Sequence, residues 1–356
     1  MNYLLGRNKV AFVLDHDLKP YRIPFFEQLQ KSGFEITIFH GGRQLEIDSG
    51  VHQETVASIN LGPIQYRKLP SLSKFDLVVH MQNIRLINLW LITFNPFRKF
   101  KLVHWGIGVS SGNGLENQKK PILFLRNLLA TFSSCQVLYS EYPRQFFSPK
   151  VLKKTFVAPN TVHSPYSFDF SKNKKQYFLF IGALNKRKGL YDLLDAFSQY
   201  LNSAKIHTVK KLVIIGEGSE KANMKEFIAK YDLADSVELV GEVKEDKLKA
   251  DYFRKAIACI SPKQAGLSVL ESFSYGVPFI AYENAISGGE HLNIQNDVNG
   301  FLIKDKTQLI EVMCLLDKNI TNSQKLGSNA FAFYNTSRTI ENMVDGFVNA
   351  FEYALR

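Results

Sequence analysis

Residues 261–280 read SPKQAGLSVLESFSYGVPFI, and the order of residue types in this stretch decides the fold. A polar, Gly-containing turn leads into a short helix and then into a buried strand. Ala265, Gly266 and Leu267 open the helix, so free backbone N–H groups and the positive end of the helix dipole meet an anion there. Glu271 follows about one and a half turns in, with apolar Val269, Leu270 and Phe273 around it. Gly276 suits a left-handed C-cap, and Val277-Pro278 launches the next strand. Such a design holds a ligand that carries both a phosphate and a sugar.

Outward from this stretch the pattern repeats. Strand-like runs at 177–182, 211–216, 237–240 and 258–261 alternate with helix-like runs from 189, near 221–231 and at 246–255. The first half alternates in the same way. Strands are expected at 9–14 (KVAFVL), 35–40, 77–79, 101–104, 136–139 and 155–158, with helices at 24–31 and 121–132. Alternation of this kind implies parallel sheets with helices on both faces. The polar, aperiodic run SPYSFDFSKNKK after Thr161 reads as an interdomain linker. The expected organisation is an N-terminal Rossmann-like domain over 1–165 and a C-terminal one over 176–335. A helix follows over 336–356, with a stripe of Met343, Val344, Phe347, Phe351, Ala354 and Leu355. Its spacing alone fits packing on either domain.

At 356 residues the chain is long enough for two ordinary domains, each with its own core. Hydrophobic content of 45% and charged content of 22% describe a soluble globular protein. No apolar run reaches the roughly 18–20 residues of a membrane span. The opening MNYLLGRNKVAFVLDHD runs almost directly into a strand, which argues against a cleaved signal peptide. Cys135, Cys259 and Cys314 lie far apart, a pattern of buried thiols in a reducing compartment, so a cytoplasmic location is expected. Charge is uneven: residues 1–170 hold 20 Lys and Arg against 11 Asp and Glu, while the remainder holds 24 against 22. The basic half calls for an anionic partner.

The stretch at 261–280 resembles the signature of the family-4 retaining glycosyltransferases of the GT-B fold. In that signature a Gly-Leu turn precedes a ribose-binding Glu and a Gly-Val-Pro. The resemblance extends over the C-terminal half. FLFIGALNKRKGLYDLLDAF is similar to the family's strand, Gly turn and Lys-Gly, and LVIIGEGSEKANMKEFIAKYDLADSVELVGEV to its Gly-Glu-Gly turn and Val-x-Leu-x-Gly strand. ISGGEHLNIQNDVNGFLI resembles its Gly-Gly-x-x-Glu and Asn-Gly segment. The resemblance implies two Rossmann-like domains facing across a cleft, with the terminal helix crossing back to the first. It also implies a nucleoside-diphosphate sugar as donor substrate and no further cofactor or metal. Lys188 and Glu271, with His104 from KLVHWGIG, form the implied catalytic set. Gly182, Lys188, Gly241, Val243, Lys263, Gln264, Gly266, Leu267, Ser268 and Glu271 form the implied donor site.

Two departures stand out. The family's first Glu, eight residues before Glu271, is Lys263 here, which either faces the donor phosphates or is a solvated loop charge. The Arg that often follows the turn glycine is Ala183, with Lys186 or Arg187 as replacements or as solvated cations. Gly288 and Gly289 fit a close approach to ligand or a plain turn. Glu290 is offset from the family Glu and stays outside the catalytic set.

In the N-terminal half, His104 reads equally as a structural hydrogen-bonder. APNTVHSP resembles the family's Pro-Asn segment at the interdomain crossing, and Tyr21 and Arg22 of YRIPFF are acceptor-contact candidates. Asp15-His16-Asp17 spells a metal-holding Asp-x-Asp but stands in a chain whose signatures are metal-independent. Gly106-x-Gly108-x-x-x-Gly112 faintly resembles a dinucleotide fingerprint, yet a polar loop follows it rather than an apolar helix.

Residues 86–101 (LINLWLITFNPFRKFK) and 119–132 (KKPILFLRNLLATF) mix aromatics, aliphatics and cations. They are expected to be core helices whose basic edge touches an anionic membrane at the cytoplasmic face. No stacking aromatics interleave a basic run on a recognition element, so nucleic acid is not an expected partner. The expected function is transfer of a sugar to a glycan or lipid-linked glycan acceptor in surface polysaccharide or lipopolysaccharide synthesis. The alternatives are a sugar-nucleotide epimerase or hydrolase on the same fold, or a non-catalytic scaffold with a disabled donor site.

Overall fold

The computed structural model describes residues 8–47, 49–112, 115, 117–164, 175–203 and 207–356. The opening residues before Asn8 and most of the expected linker, 165–174, lie outside the described residues, as do 113, 114 and 116 of the polar loop after Gly106. The chain divides into two compact units. Unit 1 comprises Met1–Ser110, Glu116–His163 and Thr339–Arg356; unit 2 comprises Ser111–Leu115 and Ser164–Arg338.

Unit 1 is built from β1 (Asn8–Val13), α1 (Ile23–Lys31), β2 (Phe34–His40), β3 (His52–Thr55), β4 (Ser58–Leu61), β5 (Ile64–Arg67) and β6 (Leu77–Met81). It continues through α2 (Ile87–Phe94), β7 (Lys101–Gly106), α3 (Lys120–Phe132), β8 (Cys135–Leu138), α4 (Pro149–Leu152) and β9 (Thr155–Val157). Seven strands form one parallel sheet in the order β3-β2-β1-β6-β7-β8-β9, with β4 and β5 as a separate antiparallel hairpin. The central strands are buried on both faces, which is why they read as continuous apolar runs. The short edge strand β3 and the β4–β5 hairpin carry no such run, and the sequence reading passed over them.

Unit 2 follows with β10 (Tyr177–Ile181), α5 (Leu190–Asn202), β11 (Leu212–Ile215), α6 (Lys221–Lys230), β12 (Val237–Gly241), α7 (Asp246–Lys255) and β13 (Ala256–Ile260). Then come α8 (Ser268–Ser274), β14 (Phe279–Tyr282), β15 (Gly300–Ile303), α9 (Lys306–Lys318) and α10 (Ile320–Ser337). Its six strands are all parallel, ordered β12-β11-β10-β13-β14-β15. Phe178, Phe180, Leu193 and Phe197 anchor the core between the sheet and α5.

The last helix, α11 (Ile340–Leu355), belongs to unit 1. Thr339 opens it with a capping box shared with Asn342. Its apolar stripe enters the core of unit 1. The Phe347 ring centroid lies 4.9 Å from that of Phe25, 5.3 Å from Trp105 and 5.8 Å from Phe12. Gly346 allows the closest approach: a Cβ there would stand 2.4 Å from the carbonyl oxygen of Val157 in β9. Each fully buried aromatic of this kind contributes roughly 1.5–3 kcal/mol. Among the described residues no helix is long and apolar enough to cross a membrane.

Candidate functional site

The carboxyl edge of the unit 2 sheet is kept low by glycine. Gly182 follows β10, Gly216 follows β11 and Gly241 ends β12, all with positive φ. At Gly216 no other residue fits: a Cβ would stand 1.9 Å from the carbonyl oxygen of Gly182. The Gly182 N–H donates to Ile215 O and the Gly216 N–H to Gly241 O, so the three turns are stitched side by side. Val243, just past β12, is half-buried beside them.

Lys188 rises over this floor. It ends a 3-10 turn, Lys186–Lys188, capped by Asn185, whose side chain accepts from the Arg187 N–H. Gly189 then swings the chain into α5 with φ 72°. The position a Cβ would take on Gly182 lies 3.4 Å from Lys188 Nζ, which places the ammonium directly beside that turn. Burial lowers the Lys188 pKa, and Arg187 lowers it further, while Cys259 and Glu290 work the other way. No carboxylate among the described residues makes a salt bridge with it. A partly desolvated cation without an ion pair gains most from an anion brought beside it.

The turn before α8 completes the edge. The strand-like segment through Gln264 bridges Ile286, and the Ser261 hydroxyl donates to Gln264 O at 2.8 Å. Nothing lies within 4 Å of where a Gly266 Cβ would be, so open space fronts that residue. The helix starts at Ser268 with Leu267 as N-cap, later than the Ala265–Leu267 opening the sequence suggests, and the Val269 N–H already donates to Gly266 O at 3.0 Å. The Ser268 hydroxyl is buried with no hydrogen-bond partner, an unmet polar group at the mouth of the helix. Glu271 is held by Lys249 Nζ at 3.0 Å, with Asp246 on the same ammonium at 3.1 Å. Burial pulls the Lys249 pKa down, but Glu271 and Asp246 outweigh it and hold the ammonium well above its usual range. Nearby, burial pushes the Cys259 thiol up to about 12, which keeps it inert.

Lys263 is an exposed loop cation, the second of the two courses the sequence left open. Its backbone N–H donates to Lys188 O at 3.4 Å, but its ammonium turns away to Asp192 Oδ1 at 2.9 Å. Tyr282 donates to the other Asp192 oxygen at 3.2 Å. The pair walls a separate open groove of about 800 Å³, shared with Asp195 and Lys306. Lysine here is thus paired on the α5 side of the edge, in an ion pair that is half exposed.

Sequence reasoning missed two neighbours. Lys249 sits on α7, 22 residues before Glu271, and no spacing rule connects them. Glu290, left outside the site on sequence grounds, is buried and accepts from the Gly288 N–H at 2.8 Å and the Ser287 hydroxyl at 3.1 Å. It therefore shapes the Gly288–Gly289 turn while acting on Lys188 electrostatically. Its position directly after Gly-Gly was the available signal.

Two expectations in unit 1 are overturned. His104 lies inside β7 and is 0% exposed, with Nε2 3.0 Å from the Thr93 hydroxyl on α2. It pairs in register with His80 of β6. Burial drives its pKa down to about 3, helped by His80, Arg98 and Lys154. A strand-interior histidine in this setting is a neutral structural group, not a contact for a sugar. Arg22 is also sealed: it donates to Asn160 Oδ1 at 2.5 Å, lies over the rings of Trp105 and Tyr139, and reaches Met343 of α11. Tyr21 beside it remains 39% exposed. Asp15 accepts from Asn83 at 3.1 Å. Among the described residues no three His, Cys, Asp or Glu side chains are grouped to hold a metal ion.

The profile of the family described as glycosyl transferases group 1 matches residues 166–332. O-antigen chain mannosyltransferase C of Escherichia coli is 28% identical over 182 residues, covering 49% of this chain and 46% of that protein. Amylovoran biosynthesis glycosyltransferase AmsD of Erwinia amylovora is 30% identical over 143 residues, covering 37% and 38%. The matched region spans less than half the length of these curated relatives. Among solved structures, Anabaena Alr3699/HepE in complex with UDP superposes with a TM-score of 0.71 at 16% identity, over 97% of this chain and 99% of that one. Sucrose-phosphate synthase from Thermosynechococcus elongatus gives the same score and identity over 97% and 98%. Both likenesses speak to the fold. Residues 166–332 therefore match the glycosyl transferases group 1 family, and the chain as a whole has the GT-B fold of these solved structures.

Proposed function

We propose that the chain is a retaining, metal-independent glycosyltransferase. It moves a sugar from a nucleoside-diphosphate donor to a hydroxyl of a glycan or lipid-linked glycan, in the synthesis of a cell-surface polysaccharide. One observation carries this reading: the half-buried Lys188, without an ion pair among the described residues, stands beside the Gly182 turn at the carboxyl edge of the sheet. The names of the two curated relatives, one from O-antigen and one from amylovoran synthesis, support the polysaccharide context. The UDP complex of Anabaena Alr3699/HepE supports a nucleoside diphosphate as the donor's leaving group.

In the proposed reaction the bond between the anomeric carbon and the diphosphate oxygen breaks while the acceptor oxygen bonds to that carbon on the same face. The acceptor proton passes to the departing diphosphate. Lys188 and the backbone N–H groups of Gly266–Ser268 stabilise the charge that develops on the leaving phosphate. Glu271, oriented by Lys249, takes the ribose hydroxyls. Gly241 and Val243 offer backbone to the base. Nothing beyond the donor is needed as a cofactor, and the location is cytoplasmic.

A thermal-shift panel of UDP, GDP, ADP, CMP and their sugar conjugates tests the donor site. Stabilisation by one diphosphate series, lost in Glu271→Ala, is the expected result and names the base. No shift with any nucleotide would overturn the reading in favour of a non-catalytic scaffold. Hydrolysis or epimerisation of the donor without acceptor would favour the other enzyme class.

A further inference from the structure

The three most exposed large hydrophobic residues of the described chain are Phe97 at 87%, Phe124 at 68% and Leu91 at 59%. All three lie within one stretch of unit 1, on α2, α3 and the turn that follows α2. Phe94 and Phe132 join them on the same surface, their ring centroids 5.1 Å apart, and Trp90 stacks on Phe94 at 6.2 Å. Phe124 stands about two turns up α3 from Phe132. The sequence suggested core helices whose basic edge touches an anionic membrane, yet α3 buries only Leu129 and Ala130 and it is the apolar face that stands exposed. Rigid contacts hold the patch out. The Phe97 N–H donates to Asn95 Oδ1, and Arg98 clamps the end of α2 to that of α3 through Thr93 O and Phe132 O, each at 2.7 Å.

Charge around the patch is mostly positive, with exposed Asp76 beside Lys101 as a carboxylate at its edge. Residues 77–140 contain seven Lys and Arg and a single Asp or Glu, Glu116. Lys99, Lys101, Lys119 and Lys120 are exposed at its margins. We infer that this face docks on an anionic bilayer: Phe97, Phe124 and Leu91 enter the boundary between headgroups and acyl chains while the lysines meet lipid phosphates. A second copy of the chain suits the face poorly, since a symmetric contact would set these lysines against one another. The inference rests on unit 1 alone, so its failure and that of the donor-site reading are separable.

The test is co-sedimentation of the full chain with vesicles of phosphatidylcholine, with and without phosphatidylglycerol, at low and high salt. Binding is expected on the anionic vesicles and weak on the neutral ones. Phe97→Ser with Phe124→Ser should lower partitioning at least about tenfold without changing the melting temperature. Lys99→Gln, Lys101→Gln and Lys120→Gln should each cost roughly fivefold, and only on anionic vesicles. A measurement on the unsubstituted chain is also available, because the chain has two tryptophans and Trp105 is fully buried. Trp90 emission should shift to the blue when anionic vesicles are added. Absence of sedimentation at low salt together with an unmoved Trp90 spectrum overturns the inference. So does a light-scattering mass showing a dimer that Phe97→Ser dissociates, which would assign the face to a second copy.

Discussion

The two sheets share a plan but treat their polar side chains in opposite ways. In unit 2 the carboxyl edge is cleared by Gly182, Gly216 and Gly241, and the cation placed over it is left without an ion pair. In unit 1 the polar groups on and beside the central strands are sealed. His80 and His104 lie inside β6 and β7, and Arg22 is closed under Trp105, Tyr139 and Met343. The difference teaches that a polar residue on a strand indicates a site only when its surroundings leave room for a ligand. Residue type and strand position alone do not separate the two cases.

The sharpest way to break that comparison is Lys188→Ala. If the ammonium waits for a diphosphate, turnover should fall a hundredfold or more, a loss of about 2.7–4 kcal/mol of barrier stabilisation. The melting temperature without nucleotide should hold or rise, because a partly desolvated, unpaired charge is removed. Steady-state kinetics with the donor identified by thermal shift decides the first point, and a melt decides the second. Near-normal turnover would place Lys188 outside the site.

Arg22→Leu probes the sealed side. It removes the bond to Asn160 and leaves that amide buried, so a loss of roughly 2–4 kcal/mol in unfolding free energy is expected. Donor-induced stabilisation should persist, since the change touches unit 1 only. Urea melts with and without nucleotide would show whether the two halves are separable in this sense.

The buried histidines give a pH signature. Burial lowers His80 to about 4 and His104 to about 3 in the folded chain, against 6.5 unfolded. Above about pH 6.5 both states are neutral and the pair has no pH effect. As pH falls from 6.5 towards 3, the unfolded chain takes up protons that the folded chain refuses, so stability declines. His104→Gln should flatten that decline; melts across this range that show equal slopes would refute the assignment.

The smallest effect is expected at Lys263→Ala. Its ion pair with Asp192 is half exposed, and such pairs contribute about 0–1 kcal/mol. Turnover should stay within about threefold of the parent, whereas a Lys188-sized loss would return Lys263 to the donor site.

Much of the architecture was legible because parallel strands buried on both faces leave continuous apolar runs, as in KVAFVL and FLFI. The glycines and the short helix around Glu271 were legible for a local reason: backbone geometry limits which residues can stand there. What the sequence concealed were contacts made over long separations. Lys249 reaches Glu271 across 22 positions, and Lys263 reaches Asp192 across 71. His104 misled because alternation along a strand says which face a side chain takes, but not whether a helix covers that face. Here α2 covers it and supplies Thr93.

The return of α11 to unit 1 also sets an order of events during synthesis. The 175 residues of Ser164–Arg338 are made between the main part of unit 1 and the helix that completes its core. At translation rates of roughly 5–20 residues per second, that interval lasts on the order of 10–35 s. Through it the nascent chain carries Phe12, Phe25 and Trp105 without the Phe347 that covers them. Unit 2 can finish folding first, and the earlier-made half waits with that apolar face uncovered until α11 is made.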